Sequence, residues 1–185
     1  NDAFYLAFKH TEPTGKRILY ALDVSGSMEG RCGGLPISCA EGAAAMALAS
    51  AKVEDPNNYL IMGFADQFRP LGITPRMTLN EALAKTTRQN FGRTDCALPM
   101  VWALQNKLLV DAFVIVTDNE TWVGNIHPSQ ALKKYRDATG IAAKEVVIGM
   151  TATSCSIADP NDPLTLDVAG FDTTVPQVLS EFVRA

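Results

Sequence analysis

The chain has the length and composition of one globular domain. It contains 185 residues, of which 47% are hydrophobic and 19% charged, and its formal net charge is −4. This length is sufficient to bury a sizeable core. The acidic balance argues against a dedicated nucleic-acid-binding domain, which is usually strongly basic. No apolar run approaches the roughly 20 residues that a membrane-spanning helix requires, so no membrane partner is expected.

Strand-like and helix-like segments alternate along the chain. Short apolar runs predict buried strands, and Ser/Thr-x-x-Glu patterns at 38–41 and 78–81 predict helix starts with capping boxes. Pro128 and Gly140 bound a further predicted helix. In chain order, the predicted elements are a strand at 17–22, a Gly-rich loop at 25–36, a helix from the first capping box to about 53, a strand at 59–64, an edge strand at 68–71, a helix from the second capping box to about 88, a loop at 90–95, a helix at 96–107, a strand at 112–117, a helix at 128–140, a strand at 144–149 and a helix at 175–183.

The alternation predicts an α/β fold with a doubly wound, mostly parallel sheet and helices on both faces. No internal repeat or linker divides the chain, so one domain is expected over residues 1–185. In open sheets of this kind, ligands bind beyond the carboxyl ends of the strands, where the strand order reverses. The loops after the 17–22 and 112–117 strands are therefore where a functional site is expected.

Both of these loops begin with an acidic residue. Asp23 follows the first strand, with hydroxyls two and four residues later at Ser25 and Ser27, and Asp118 follows the 112–117 strand. Two buried carboxylates repel each other, and a cation between them removes that conflict. Carboxylate and hydroxyl oxygens suit hard divalent cations, so the pattern predicts a site for Mg²⁺, with Mn²⁺ or Ca²⁺ as alternatives.

The Asp-x-Ser-x-Ser pattern at the end of an apolar strand resembles the metal-ion-dependent adhesion site of von Willebrand factor type A domains. In that family a distant Thr and a distant Asp complete the site, and Thr94 and Asp118 match them by order and loop position. The resemblance implies a Rossmann-like fold in which Ser25, Ser27 and Thr94 bind the metal directly. It also implies that Asp23 and Asp118 act largely through bound water.

Motifs along nearly the whole chain carry a narrower resemblance. They lie at 2–5, 13–17, 22–28, 94–100, 117–121, 149–151, 157–160 and 170–172. Together they resemble the type A domain of the Ro ribonucleoprotein autoantigen family, in which Thr-Asp-Asn-Glu is the expected variant at 117–120. That family also has a ring of helical repeats that binds misfolded small RNAs and Y RNAs. No such ring occurs in this sequence, so small non-coding RNA is expected as a partner only through a domain absent from this chain, and residues 1–15 are a candidate remnant of that domain.

Several residues also have simpler interpretations. The cluster at 23–27 suits an ordinary turn, and Thr94 suits a helix cap unless Asp95 takes that role. Asp66 is interpreted as a solvated loop acid, and Glu120 either borders the site or faces water.

Basic and histidine side chains near the 128–140 helix are predicted to have structural roles. Lys133, Lys134 and Arg136 are interpreted as a solvated helix face. His127 precedes Pro128 at the helix start, which favours a surface or capping role over catalysis.

Three classes of function fit the sequence to different degrees. The leading interpretation is a metal-dependent binding module that captures a carboxylate of a partner. The second is a scaffold domain of an RNA-protein particle whose metal site is not essential. An aspartate-based hydrolase fits least, because an aspartyl phosphatase needs a second acid where Ser25 stands. The sequence also lacks a G-x-S-x-G motif and a phosphate-binding loop, so no enzymatic activity is expected.

The four cysteines favour a reducing compartment. None forms a C-x-x-C pair, which argues against a zinc site. Cys32 and Cys39 flank the Gly-rich loop and would be able to pair if oxidised. Reduced thiols in a cytoplasmic monomer are the expectation.

Overall fold

The structure is a computed structural model that describes residues 11–87, 94–118, 124–151 and 156–185. Within these ranges the chain forms a six-stranded sheet and five α-helices. The strands are β1 (Ile18–Asp23), β2 (Tyr59–Phe64), β3 (Phe68–Pro70), β4 (Ala112–Thr117), β5 (Lys144–Gly149) and β6 (Thr165–Ala169). The helices are α1 (Cys39–Val53), α2 (Leu79–Thr87), α3 (Leu98–Gln105), α4 (Pro128–Thr139) and α5 (Val175–Arg184), with a short 3₁₀ helix at Gly26–Glu29.

The sheet has the strand order β3-β2-β1-β4-β5-β6, and β3 is its antiparallel edge strand. The other strands pair in parallel. The chain moves outward from β1 to β2 and β3, then crosses back to β4 on the other side of β1. This order confirms the predicted doubly wound, mostly parallel fold, and the strand order reverses between β1 and β4.

The core consists of one hydrophobic layer on each face of the sheet. Ile18, Tyr20 and Leu22 of β1 pack on the face covered by α1, α2 and α5. Leu19 and Ala21 pack on the opposite face, covered by α3 and α4. Both sets of β1 side chains are buried, which explains why this strand is a continuous apolar run rather than an alternating one.

Helix α1 is the most enclosed of these helices. Twelve of its 15 residues are buried, and most of the buried residues are alanines. Both predicted capping boxes are present: at the start of α1, Glu41 N donates to the Ser38 hydroxyl at 3.1 Å, and Ser38 N donates to the Glu41 carboxylate at 2.7 Å. Thr78 and Glu81 form the same reciprocal pair before α2.

Two elements differ from the predictions. Helix α3 covers Leu98–Gln105 rather than 96–107, because the residues before it form a turn and Lys107 adopts a left-handed φ of 53° that cannot continue a helix. Strand β6 was not predicted, since it is a half-exposed edge strand without a continuous apolar run. The predicted helix end near 88 and the loop at 90–93 lie outside the described residues.

Arg136 contradicts the prediction of a solvated basic face on α4. Lys133 and Lys134 are exposed, but Arg136 lies at the border of the buried face and turns inward. Its Nη1 lies 2.6 Å from the Asp162 carboxylate, and its Nε donates to the Ala143 carbonyl at 2.8 Å. Arg136 thus connects α4 to Ala143, which precedes β5, and to Asp162, which follows it.

Glu145 is a fully buried acid on the α4 side of β5. Neither of its carboxyl oxygens has a hydrogen-bond partner among the described residues. Burial raises the pKa of Glu145 to about 7, and the negative charges of Asp162, Asp159 and Asp167 act in the same direction, while Arg136 opposes them.

The segment before β1 packs against the domain. Thr14 N donates to the Glu54 carboxylate at 2.8 Å, and the Ser180 hydroxyl donates to the Glu12 carbonyl at 2.5 Å. Of the candidate remnant at 1–15, residues 1–10 lie outside the described residues. No helix in the described part of the chain is long and apolar enough to cross a membrane.

The capping box of α1 predicts a measurable loss on substitution. Ser38→Ala removes the acceptor for Glu41 N, so the free energy of unfolding is expected to fall by about 1 kcal/mol. Ser38→Asp keeps an acceptor at the same position and is expected to stay close to wild type. Urea denaturation of the three proteins measures the difference, and equal stabilities for Ser38→Ala and Ser38→Asp would contradict this role.

The raised pKa of Glu145 predicts that the free energy of unfolding falls as pH rises. Glu145 keeps its proton up to a pH of about 7 in the folded state, against about 4.5 when unfolded. Its contribution is therefore most favourable below the unfolded pKa and is lost between the two values. The loss is about 3 kcal/mol, at about 1.4 kcal/mol per pKa unit.

Urea denaturation across this pH interval, with Glu145→Gln as the comparison, measures the effect. The variant has no carboxyl group to ionise, so its stability is expected to depend less on pH than that of the wild type. Identical pH dependence in the two proteins would show that Glu145 ionises normally in the folded chain.

Candidate metal centre

Asp23 is the innermost residue of the candidate site. It ends β1 and is fully buried. Ser25 N donates to Asp23 Oδ1 at 2.9 Å, which fixes the turn after the strand. The Thr117 hydroxyl donates to Asp23 Oδ2 at 2.8 Å from the end of the neighbouring strand β4. The carboxylate is therefore held on both sides by donors from two adjacent strand ends.

Besides the Thr117 hydroxyl, the hydroxyls of Ser25, Ser27 and Thr94 lie at this edge of the sheet. The Ser25 and Ser27 hydroxyl oxygens are 2.9 Å apart, with Ser25 buried and Ser27 exposed in the 3₁₀ turn. The buried Thr94 hydroxyl lies 3.5 Å from Asp23 Oδ2, at the limit of a hydrogen bond. The structure thus brings four predicted residues, Asp23, Ser25, Ser27 and Thr94, into one cluster. Ser27 is the solvent-exposed member of this cluster.

Asp118 is the second acid of the site. It follows β4 and is 4% exposed, and the pairing of Leu22 with Val116 aligns the ends of β1 and β4. The Thr151 hydroxyl donates to the Asp118 carbonyl at 2.5 Å, which joins the ends of β4 and β5. The side chain of Asp118 is connected to the cluster through its electrostatic effect on Asp23.

The electrostatics of Asp23 favour a positively charged neighbour. Burial raises the pKa of Asp23, the hydrogen bonds from Ser25 and Thr117 lower it, and the negative charge of Asp118 raises it again. None of the ion pairs in the described ranges includes Asp23. A divalent cation bound among these oxygens would offset both the burial and the repulsion.

The donor set fits a hard cation rather than a softer one. It combines two carboxylates with hydroxyl oxygens, and such oxygens are the ligands that Mg²⁺ and Ca²⁺ prefer. Across the described ranges, no group of three or more His, Cys, Asp or Glu side chains is placed to hold a metal. A metal at this edge therefore requires the serine and threonine hydroxyls as ligands.

Asp95, Asp66 and His127 have contacts or exposure that bear on the alternative roles considered for them. Asp95, not Thr94, forms a side-chain hydrogen bond with the backbone just before α3: its carboxylate accepts from Ala97 N at 3.0 Å. Asp66 is exposed, as expected for a solvated loop acid. His127 is the residue at the N-terminus of α4, where its Nδ1 accepts from Ser129 N, which confirms the capping role. Asn119 and Glu120 lie outside the described residues.

Two residues that hold the acids of the candidate site in place were absent from the predicted set of site residues. Thr117 donates to Asp23, and Thr151 donates to the carbonyl of Asp118. Thr117 had a signal in the sequence, because it is the polar residue in the otherwise apolar run 112–117. Thr151 had no such signal, since its role depends on how the loops after β4 and β5 approach each other.

Cys32 and Cys39 lie close to this edge as free, buried thiols. The Cys32 thiol donates to the Met150 carbonyl at 3.1 Å. Burial raises the pKa of both thiols, that of Cys39 to about 12. The reduced state of these thiols stays a prediction. Cys155 lies outside the described residues.

The doubly wound sheet with these oxygens at its switch point defines a von Willebrand factor type A domain. The family described as Ro60 vWA domain matches residues 17–183. The chain belongs to this family.

Relatives of known name support the same assignment. The chain is 51% identical over 185 residues to the RNA-binding protein RO60 of Deinococcus radiodurans, covering 99% of this chain and 34% of that protein. It is 46% identical over 181 residues to the RNA-binding protein RO60 of Caenorhabditis elegans, covering 97% of this chain and 28% of that protein. The crystal structure of the D. radiodurans Ro protein superimposes with a TM-score of 0.88 at 51% identity, over 99% of this chain and 37% of that chain. The chain thus spans about a third of the length of these relatives.

The hydrogen bond from Thr117 to Asp23 predicts an asymmetry between two threonines. In metal-free buffer, Thr117→Val leaves Oδ2 of the buried Asp23 carboxylate without a close donor and is expected to cost about 1–3 kcal/mol of unfolding free energy. Thr94→Val is expected to cost less, because the Thr94 hydroxyl lies 3.5 Å from the same carboxylate rather than 2.8 Å. Urea denaturation in the presence of a chelator tests this order, and an equal or reversed cost would contradict it.

Proposed function

We propose that this domain is a divalent-metal-dependent binding module that captures an acidic group of a partner. The observation that carries the proposal is the buried Asp23 carboxylate, which accepts hydrogen bonds at the sheet edge but forms no ion pair with a basic residue of the described chain. The nearby Asp118 adds a second negative charge. A bound cation is the simplest way to stabilise this arrangement in the folded protein.

The proposed roles follow the type A pattern. Ser25, Ser27 and Thr94 would bind the cation directly, and Asp23 and Asp118 would hold it through water and hydrogen bonds. Mg²⁺ is the proposed ion, with Mn²⁺ or Ca²⁺ as alternatives. Because several of these ligands are neutral, the bound cation would keep affinity for one more anionic oxygen, which the partner's Asp or Glu supplies.

A scaffold role within an RNA-protein particle is the second candidate. It is favoured by the names of the relatives, which are RNA-binding proteins about three times as long as this chain. We propose that small non-coding RNA is contacted through another part of such a protein rather than through this acidic domain, whose net charge is −4. In this second role the metal would stabilise the domain without binding a partner.

We further propose that the domain is a cytoplasmic monomer and not an enzyme. Ser25 occupies the position where an aspartyl phosphatase carries its general acid, and a hydroxyl cannot perform that proton transfer at neutral pH.

Calorimetric titration of Mg²⁺ and Mn²⁺ into chelator-stripped protein tests the metal site. One saturable site is expected for the wild type, no binding for Asp23→Asn, and wild-type binding for Asp66→Asn, an exposed acid that follows β2. Asp23→Ala is expected to behave like Asp23→Asn, with circular dichroism showing that both variants remain folded. Unchanged binding by Asp23→Asn, or no binding by the wild type, would contradict the proposed site.

The capture of a carboxylate is tested separately with paired peptides. A set of short peptides with one Asp is compared with copies in which that Asp is replaced by Asn, in Mg²⁺ and in chelator. Binding of the Asp peptides only in Mg²⁺ supports the binding module. If the metal raises the melting temperature but no peptide distinguishes Asp from Asn, the scaffold role is favoured instead.

A further inference from the structure

Strand β6 forms an open edge of the sheet, away from the candidate metal centre. Among the described residues it pairs with β5 and with no strand on its other side. Its hydrogen bonds to β5 begin at Leu164, whose carbonyl accepts from Glu145 N, and end at Gly170, whose N–H donates to the Gly149 carbonyl. Successive residues of a strand direct their backbone groups to opposite sides, so the odd-numbered residues of β6 point away from β5.

The outward backbone groups of β6 are unused. Within the described ranges, the N–H and C=O groups of Asp167 and Ala169 form no hydrogen bond, and both residues are exposed. A strand edge of this kind is a template for a further strand. The opposite edge of the sheet is less suitable, because β3 has three residues and ends in Pro70, which has no backbone N–H.

A negatively charged groove of about 230 Å³ lies beside this edge. Thr165 and Asp167 form its wall on β6, and residues of the segment 156–160 form the other wall. The described lining includes the carboxylates of Asp159 and Asp167 and no basic residue. Neither carboxylate belongs to an ion pair of the described chain. The groove therefore favours a positively charged side chain.

The other face of β6 is apolar. Leu166 and Val168 pack against the core layer that α1, α2 and α5 cover, and both remain partly exposed. The side chains of an added strand would alternate between these two faces. One set would lie beside the aliphatic side chains and the other beside the groove, which favours a segment in which aliphatic and basic residues alternate.

A second copy of this chain fits the edge less well than such a segment. Asp167 is the central residue of β6. A symmetric antiparallel pairing of two β6 strands about their centres would place the two Asp167 carboxylates opposite each other. Like charges in directly opposite positions destabilise a strand pair, whereas a basic residue in that position is attracted.

We propose that the β6 edge binds an extended segment of a partner protein in which Lys or Arg alternates with aliphatic residues. The segment adds a strand to the sheet through the backbone groups of Asp167 and Ala169. Its basic side chains lie beside the carboxylates of Asp159 and Asp167. The site shares no residue with the candidate metal centre, so either site is able to fail without the other.

Fluorescence anisotropy of the 185-residue chain with short labelled peptides of alternating Val and Lys tests the proposal. These peptides are expected to bind, and more weakly as salt is added. Copies of alternating Val and Glu are expected to bind at least about tenfold more weakly, because like charges repel across the interface. No binding of the Val and Lys peptides, or equal binding of both kinds, would overturn the proposal.

Backbone methylation tests whether the peptide binds as a strand. Two copies of the Val and Lys peptide are N-methylated on alternate residues in opposite phase. One copy is expected to lose binding by about tenfold or more, because one set of amides faces β6, and the other copy is expected to bind like the parent peptide. Equal affinities of the two copies would overturn strand addition.

Matched variants assign the binding to β6. Ala169→Pro removes an outward N–H at a position where an edge strand tolerates proline, and Asp167→Lys reverses the charge beside the groove. Both are expected to weaken binding about tenfold or more, and Asp167→Asn about twofold to fivefold. Asp137→Asn changes an exposed acid of α4 outside the groove and is expected to bind like the wild type.

Circular dichroism and sedimentation analysis complete the test. Asp167→Lys changes an exposed side chain, so it remains informative even if Ala169→Pro fails to fold. Unchanged affinity in either folded variant would overturn the assignment to β6. A wild-type dimer that Ala169→Pro dissociates would show that the edge pairs with a second copy of the chain, and would also overturn the proposal.

Discussion

The parallel pairing of β1 with β4 is the constraint on which the rest of the domain depends. Its register places Leu22 opposite Val116, so Asp23 and Asp118 emerge at the same edge of the sheet. Both strands are buried on both faces. The carboxylate of Asp23 is therefore removed from water where these two strands end. Hydrogen bonds from the adjacent loop and strand offset part of that cost, and the repulsion between the acids remains for a cation to relieve.

Asp23 and Glu145 show two outcomes of burying an acid in one sheet. Asp23 lies at a carboxyl edge, where strands end and loops begin, and free backbone N–H groups and hydroxyls are available to it. Glu145 lies near the start of a central strand, where backbone donors are already used in the sheet. Burial raises the pKa of both acids, but at Asp23 hydrogen bonds from Ser25 and Thr117 oppose the shift. Glu145 is held closer to neutrality, with its pKa raised to about 7.

Much of this organisation follows from local sequence signals. Continuous apolar runs identify the central strands, and the Ser38 and Thr78 capping boxes identify two helix starts, because both signals depend on neighbouring residues. Asp23, Ser25, Ser27 and Asp118 were predicted as site residues by similar local logic, since acids and hydroxyls after apolar strands are visible in the sequence. Thr94 was predicted from the resemblance to type A domains. β6 was missed because an edge strand needs only one apolar face, and the inward turn of Arg136 was missed because it depends on Asp162, which is distant in sequence. The unpartnered oxygens of Glu145 likewise become apparent only when the packing is known.

The enclosure of α1 has a consequence for how sequences of this kind diverge. With 12 of its 15 residues buried and most of those being alanine, this helix lies so close to the sheet that added volume has nowhere to go. A methyl group at Gly42, for example, would fall 2.1 Å from the end of the buried Met150 side chain, which would have to shift to admit it. Selection on α1 should therefore act on side-chain size more than on polarity. Lineages that keep this domain are expected to exchange small residues for one another there, while the more exposed helices accept changes of many kinds.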